Sequence, residues 1–379
     1  MAAPLRLLHL HSSFDLGGKE ARAIRLMQAW GDRARHVIVS GAPDALGARP
    51  AIPADVAYEI AQDPPPLTGT PSVARFETIA RFMRRFDLVL TYNWGAIDGV
   101  MARRAFPKGM PPVVHHEDGF NADEAAGLKV QRNVYRRIAL PAAAALVVPS
   151  QALEGIALKT WRQPRARIHR IANGIPTALY AEPPRPDAIP GLRRRDGEVV
   201  IGALAGLRPV KDLPALVRAA GGLAGRVRLV IVGEGPEREA IEAAAFAMGL
   251  ADRLVMPGFL PEPHRYVGLF DVLAVSSLSE QFPISVVEAM AAGVPIAGFD
   301  VGDLRAMIAP ENRPYVAPIR NEVFLRDALQ PLVGHEAGRR WIGRLNQRKA
   351  QADYDEAAMI SRYRDLYETA LGRPGALAI

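Results

Sequence analysis

Two glutamates, Glu280 and Glu288, stand eight positions apart in the stretch 276–300, SSLSEQFPISVVEAMAAGVPIAGFD. The first falls in a loop that leaves a short apolar strand, and the second falls one turn inside a helix expected to start near Ser285. An ionised carboxylate accepts hydrogen bonds at both oxygens, which suits a sugar hydroxyl at one glutamate and a ribose at the other. The N–H groups of residues 282–286 would point out of the helix start, where free donors and the helix dipole bind an anion such as a diphosphate. A purely structural arrangement also fits: Ser285 and Glu288 have the S-x-x-E spacing of a capping box, with Glu280 an ordinary loop carboxylate.

Three further segments carry polar chemistry. Residues 202–213, GALAGLRPVKDL, read as strand, turn and helix, with Arg208 and Lys211 in the turn. Arg as a fork and Lys as a point charge could hold a departing diphosphate without a metal; a helix start with exposed basic residues is the plainer reading. In SSFDLGGKEARAI, residues 12–24, Gly17 and Gly18 would let backbone approach a phosphate or an acceptor closely. In PPVVHHEDGFNADE, residues 111–124, a strand end carries His115, His116, Glu117 and Asp118, which could orient an acceptor or stabilise charge at a reacting carbon. Adjacent strand residues point to opposite faces, so the two histidines cannot ligate one ion without a bend, and no metal site is expected. The VGEGPERE segment at 232–239 has Arg238 where a dinucleotide fingerprint needs its third glycine, which excludes NAD.

These residues need a frame. Short β-rich runs (LRLLHL, HVIVS, DLVLTY, PPVVHH, AALVVPS) alternate with helical patterns, stop at a proline-rich stretch at 183–190, and restart with EVVIGALAG, VRLVIVG, RLVMPG, VLAVSS and VPIAGF. This is the pattern of two α/β domains with parallel sheets, expected at 1–178 and 179–354. A last helical segment, DYDEAAMISRYRDLYETAL, is expected to return to the first domain over about 355–379. Two such domains facing across a cleft place a ligand outside the carboxyl ends of the strands.

Composition narrows the classes. The 379 residues are 49% hydrophobic and hold no cysteine, which excludes disulfides, thiolate metal sites and a cysteine nucleophile. The amino terminus reads as a first strand rather than a signal peptide, and the longest apolar run, 139–149, is far short of the roughly 20 residues that span a bilayer. A cytoplasmic location is expected, with peripheral attachment to the inner face of the membrane as an extension. Residues 1–178 hold 23 Lys and Arg against 15 Asp and Glu, so this half carries the whole +7 excess. Its basic clusters are Arg81, Arg84 and Arg85; Arg103, Arg104 and Lys108; and Arg132, Arg136 and Arg137, the last on one helical face by their spacing. Such a face could meet anionic lipid headgroups or be merely solvated; no aromatic interleaving or known module accompanies it, so nucleic acid is not expected.

Together the segments resemble family 4 of the retaining GT-B glycosyltransferases, a group that includes bacterial mannosyltransferases of inositol lipids and sugar transferases of lipopolysaccharide and exopolysaccharide assembly. The resemblance rests on Gly17 and Gly18, VPS at 148–150, NGI at 173–175, the Lys211 turn, VGEGP, PGFLPE and the pair Glu280 and Glu288, in that order along most of the chain. It implies that Glu288 binds the donor ribose, Glu280 the transferred sugar, Lys211 the diphosphate, and the backbone near Phe259 and Leu260 the base. The amides of Phe282, Pro283 and Ile284 would help hold the donor. No metal or organic cofactor is implied. The donor would be a nucleotide-sugar, UDP-sugar foremost, and the acceptor a lipid or envelope glycan precursor. Two positions depart from the family pattern. Gly206 stands where the usual arginine lies, with Arg208 two residues on, and Asp118 stands where many relatives have histidine. His116 and Asp118 are therefore joint candidates for supporting the reaction centre. The implied mechanism is front-face transfer, in which the acceptor hydroxyl attacks the side the nucleotide leaves. A non-hydrolysing sugar-nucleotide 2-epimerase and a catalytically silent nucleotide-sugar binding protein are the rival readings.

Overall fold

The computed structural model describes residues 3–120, 124 and 127–378; residues 121–123 of the NADE segment lie outside them. The chain divides into two compact units, Met1–Asn173 with Ala357–Ile379, and Gly174–Glu356.

The first unit runs β1 (Leu5–His11), α1 (Gly18–Trp30), β2 (Ala34–Ser40), β3 (Tyr58–Ile60), α2 (Val73–Met83), β4 (Leu88–Tyr92), α3 (Ile97–Ala105), β5 (Val113–His116), α4 (Val130–Ala139), β6 (Ala145–Val148), α5 (Gln151–Lys159) and β7 (Ile168–Arg170). Its sheet has the order β3-β2-β1-β4-β5-β6-β7, every pairing parallel. A parallel sheet is covered on both faces, which is why its strands read as near-continuous apolar runs. One face packs Leu8, Leu10, Val89 and Leu146 against Ile79, Met83, Val100 and Trp161. The other packs Leu7, Leu90 and Val114 against Leu26 and Trp30 of α1.

The second unit runs α6 (Thr177–Ala181), β8 (Val199–Leu204), α7 (Leu213–Gly221), β9 (Val227–Val232), α8 (Arg238–Ala247), β10 (Leu254–Gly258), β11 (Val272–Val275), α9 (Ile284–Ala291), β12 (Ile296–Phe299), α10 (Leu304–Met307), β13 (Val316–Ala317), α11 (Glu322–Gly334) and α12 (Glu336–Asp353). Its parallel sheet has the order β10-β9-β8-β11-β12-β13. A last helix, α13 (Glu356–Leu371), returns to the first unit, where Met359, Tyr363, Leu366 and Tyr367 pack with Trp30.

The short motifs have local jobs. Ser150 of VPS caps α5, its hydroxyl accepting from the Leu153 N–H at 3.0 Å. At NGI, the Ile175 N–H donates to the Tyr354 carbonyl at 3.0 Å and the Glu356 N–H to the Ile175 carbonyl at 2.9 Å, so the outgoing and returning strands of chain are bonded to each other. No helix among the described residues is long and apolar enough to cross a membrane.

Candidate active site

In the second unit the loops after β8 and β11 meet. The Ser276 hydroxyl donates to the Lys211 carbonyl at 2.8 Å, pinning the Lys211 turn to the end of β11. From that turn the Lys211 ammonium pairs with the Glu280 carboxylate, and the Ser277 hydroxyl donates to Glu280 Oε1 at 2.7 Å. Lys211 and Glu280 keep 16% and 13% of their side chains exposed, so the pair is accessible to a ligand. It lines a small cavity with Ala205, Ser276, Ser277 and Ser285. Two glycines make this geometry possible. A Cβ on Gly302, at φ +54°, would lie 2.3 Å from the Glu280 carbonyl, and one on Gly233, at φ +147°, would lie 1.9 Å from the Ala205 carbonyl. The glycines of VGEGP therefore serve a close approach of two loops: the Leu207 N–H donates to the Glu234 carbonyl at 2.8 Å.

Arg208 is exposed, and its Nε lies 3.5 Å from the point a Cβ on Gly206 would occupy. The side chain thus folds back over Gly206.

Helix α9 starts at Ile284 with Pro283 as its N-cap and no side-chain cap. Ser285 is then inside the helix, which sets aside the capping-box alternative. Proline has no N–H, so Pro283 cannot supply an amide to a donor; the Val286 N–H is spent on the Pro283 carbonyl at 3.2 Å. The groups that a helix start leaves for an anion are those of Ile284 and Ser285, beside Phe282.

Glu288 is 9% exposed and accepts from the Tyr180 hydroxyl of α6 at 3.0 Å. Burial and the Glu288 charge push the Tyr266 phenol up from its ordinary value, and its hydroxyl donates to the Leu260 carbonyl at 3.1 Å. Tyr266 thereby braces the loop after β10, where Phe259 is 62% exposed.

In the first unit Gly17 is the N-cap of α1 in extended conformation, with Lys19 pairing Glu20 in the first turn. Asp118, on the loop after β5, is gripped by both terminal nitrogens of Arg22, with Nη2 to Oδ2 at 2.8 Å. His116 does not share this position. It is buried, Nδ1 donates to the Thr91 carbonyl at 3.2 Å, and Nε2 accepts from the Tyr367 hydroxyl at 2.9 Å. A carbonyl can only accept, which fixes the proton on Nδ1; burial holds the ring's pKa well below its usual value. His116 anchors α13, and the expectation of a reaction-centre role is corrected accordingly. His115 points the other way, to the Thr91 hydroxyl at 2.8 Å and Glu117 at 3.4 Å. The alternation argued from the strand holds.

The basic face expected on α4 is corrected too. Arg136 is fully buried, its Nε 3.0 Å from Glu117 Oε2 and its guanidinium 5.0–5.5 Å from the rings of Trp94, Phe120 and Trp161. Burial alone would raise the Glu117 carboxyl; Arg136 and His115 hold it below its ordinary value. Arg132 pairs with Glu124 at 2.8 Å, and only Arg137 of the three is exposed.

A family model described as glycosyl transferases group 1 matches residues 184–339, and one described as glycosyltransferase family 4 matches residues 16–179. The chain belongs to glycosyltransferase family 4. Among its family relatives, a 2-deoxystreptamine glucosyltransferase of Streptomyces kanamyceticus is 33% identical over 46% of this chain and 50% of its own. A 2-deoxystreptamine N-acetyl-D-glucosaminyltransferase of Streptomyces fradiae is 37% identical over 31% of this chain and 29% of its own. The chain thus spans about half or less of the length of these curated relatives. The crystal structure of Anabaena HepE in complex with UDP superposes with a TM-score of 0.80 at 19% identity, covering 96% of this chain and all of that one. Sucrose-phosphate synthase of Thermosynechococcus elongatus gives 0.77 at 21%, covering 97% and 99%. These likenesses show the GT-B fold.

Within this family 4 chain, the Lys211, Glu280 and Glu288 constellation lies in the group 1 segment, and Gly17, Arg22 and Asp118 in the other. Sequence reasoning missed Arg22, Asn93, Tyr180 and Ser277. Arg22 had a signal: a charge four residues before Leu26, on the apolar stripe of Ala23, Leu26 and Trp30. Tyr180 had none.

Proposed function

We propose that the chain is a retaining, metal-independent glycosyltransferase that moves a sugar from a nucleoside-diphosphate donor, a UDP-sugar foremost, to an acceptor hydroxyl. The observation that carries this is the meeting of the Lys211 ammonium, the Glu280 carboxylate and the Ser277 hydroxyl beside the start of α9. A cation and free N–H groups suit a diphosphate, and an adjacent carboxylate suits the hydroxyls of the sugar attached to it. Lys211, Arg208 and the N–H groups of Ile284 and Ser285 stabilise charge on the leaving diphosphate. Glu288 accepts from a ribose hydroxyl while Tyr180 orients it, and the exposed Phe259 ring offers the base a surface. In front-face transfer the acceptor oxygen bonds to the anomeric carbon as the nucleotide departs from the same side. The acceptor's proton goes to the leaving phosphate, so no dedicated base is needed.

Support for the donor class comes from HepE, solved with UDP and with UDP and glucose, and from a GDP-mannose-dependent alpha-mannosyltransferase of Mycobacterium tuberculosis that is 33% identical over 184 residues. The comparisons do not favour the 2-epimerase. For the acceptor, the relatives' names point to small polar molecules, 2-deoxystreptamine and D-inositol 3-phosphate. A lipid-borne envelope glycan precursor, reached from the membrane's cytoplasmic face, is the second reading. It is favoured by the exposed stripe Val130, Val134 and Ile138 beside Arg137 on α4. The test is a matrix of UDP-, GDP- and ADP-sugars against these acceptors, read by nucleotide release and by the anomeric configuration of the product. Transfer with retention supports the reading; donor turnover that yields an epimerised donor without acceptor contradicts it.

A further inference from the structure

Arg22 is 4% exposed, and its guanidinium is held by partners from three parts of the first unit. It grips both oxygens of Asp118, donates through Nη1 to Asn173 Oδ1 at 2.9 Å, and lies 5.6 Å from the centre of the Tyr363 ring on α13. A buried guanidinium is costly to desolvate unless paired in good geometry. Asp118 is differently placed: its side chain keeps 13% exposure against 3% for Arg22. One edge of the carboxylate faces Arg22 and another stays open.

The backbone beneath Asp118 is also constrained. Its N–H donates to Asn93 Oδ1 at 2.7 Å, and the Asn93 N–H donates to the His116 carbonyl at 2.7 Å. Asn93 has φ 57° and ψ −175°, a region that glycine occupies and other residues enter at a cost of roughly 1–3 kcal/mol. Strain is thus accepted at the carboxyl end of β4 in an arrangement that fixes one partly exposed carboxylate. A carboxylate offers about four acceptor positions, and Arg22 takes two.

We propose that Arg22 is a positioning residue that holds Asp118 as the hydrogen-bond acceptor for a hydroxyl of the glycosyl acceptor. This rests on the transferase reading above. The fork geometry matters, because a lysine supplies charge but only a point contact.

The test uses the full chain with UDP-glucose and GDP-mannose as donors and 2-deoxystreptamine and D-inositol 3-phosphate as acceptors. Arg22→Gln and Asp118→Asn are expected to raise the acceptor KM at least about ten-fold, as loss of a hydrogen bond to a charged group does. Thermal stabilisation by UDP should stay as in wild type, and Arg22→Lys should recover part of the loss. If Arg22→Gln does not fold, Asp118→Asn, which keeps shape and one contact to Arg22, carries the test. Acceptor KM values within two-fold of wild type in the folded variants overturn the inference and leave the transferase reading intact. Wild-type protein that transfers to neither acceptor overturns the small-acceptor transferase reading, and the inference with it.

Discussion

The Lys211 ammonium rests on the Glu280 carboxylate, 69 residues further along the chain, and joins the loop after β8 to the loop after β11. Neither partner is sealed from solvent, and on the donor-site reading proposed above a bound diphosphate draws the ammonium away while Glu280 turns to a sugar hydroxyl.

Glu280→Gln keeps the Ser277 hydrogen bond and removes the charge. It should lower kcat at least about ten-fold while shifting stability by only about 1 kcal/mol, because the neutral amide still accepts from the Ser277 hydroxyl. Gly302→Ala should do more harm to the fold, by about 1–3 kcal/mol, because its Cβ would meet the Glu280 carbonyl at 2.3 Å. Urea midpoints and steady-state rates check both.

Arg136 is predicted to matter for stability and Arg137 not. Arg136→Ala leaves Glu117 buried without its guanidinium, with His115 still beside it, which costs about 3–5 kcal/mol. Arg137→Ala on the exposed side of α4 should stay within about 0.5 kcal/mol. Equal urea midpoints for the two variants would contradict the burial described for Arg136.

The first unit should be acid-labile. His9, His11, His36 and His116 are buried with pKa values lowered by desolvation, to about 4 for His36. Folded, these rings stay neutral; the unfolded chain takes up their protons below about pH 6.5. The unfolded state therefore binds more protons in that range, and stability falls as pH drops from 6.5 toward 4. Each ring contributes up to about 1.4 kcal/mol per pH unit. Urea midpoints at pH 8, 7, 6 and 5 should be flat above 7 and decline below 6.5; a midpoint unchanged to pH 5 contradicts this.

The lipid-acceptor reading places contact with a lipid surface on α4. Wild-type protein should then sediment with anionic vesicles, and Val134→Asp with Ile138→Asp should abolish this without lowering Tm, since both side chains are 45% exposed. Absence of vesicle binding by wild type removes the lipid-acceptor reading.

The fold was readable because parallel strands buried on both faces, such as LVLTY in β4, are apolar without alternation and sit between amphipathic helices. Lys211 and Glu280 were readable from their place at strand ends. Periodicity groups residues on a face but does not say which way the face points, so the Arg132, Arg136 and Arg137 spacing was compatible with burial or exposure; Glu117 and three aromatic rings decide it. The capping-box alternative ignored Pro283, which takes the N-cap itself. Tyr180 on α6 reaches Glu288 across 108 positions, a contact that no local pattern encodes.

The most direct measurement is thermal stabilisation of the purified chain by UDP-glucose, with GDP-mannose and ADP-glucose alongside, in wild type, Lys211→Ala and Glu288→Ala. Ligand at 100 times its Kd stabilises by about 2.7 kcal/mol. Stabilisation by one nucleotide class in wild type, reduced in both variants, is the predicted result. No stabilisation of wild type by any of the three at millimolar concentration, or stabilisation unchanged in both variants, contradicts a donor site at Lys211 and Glu288.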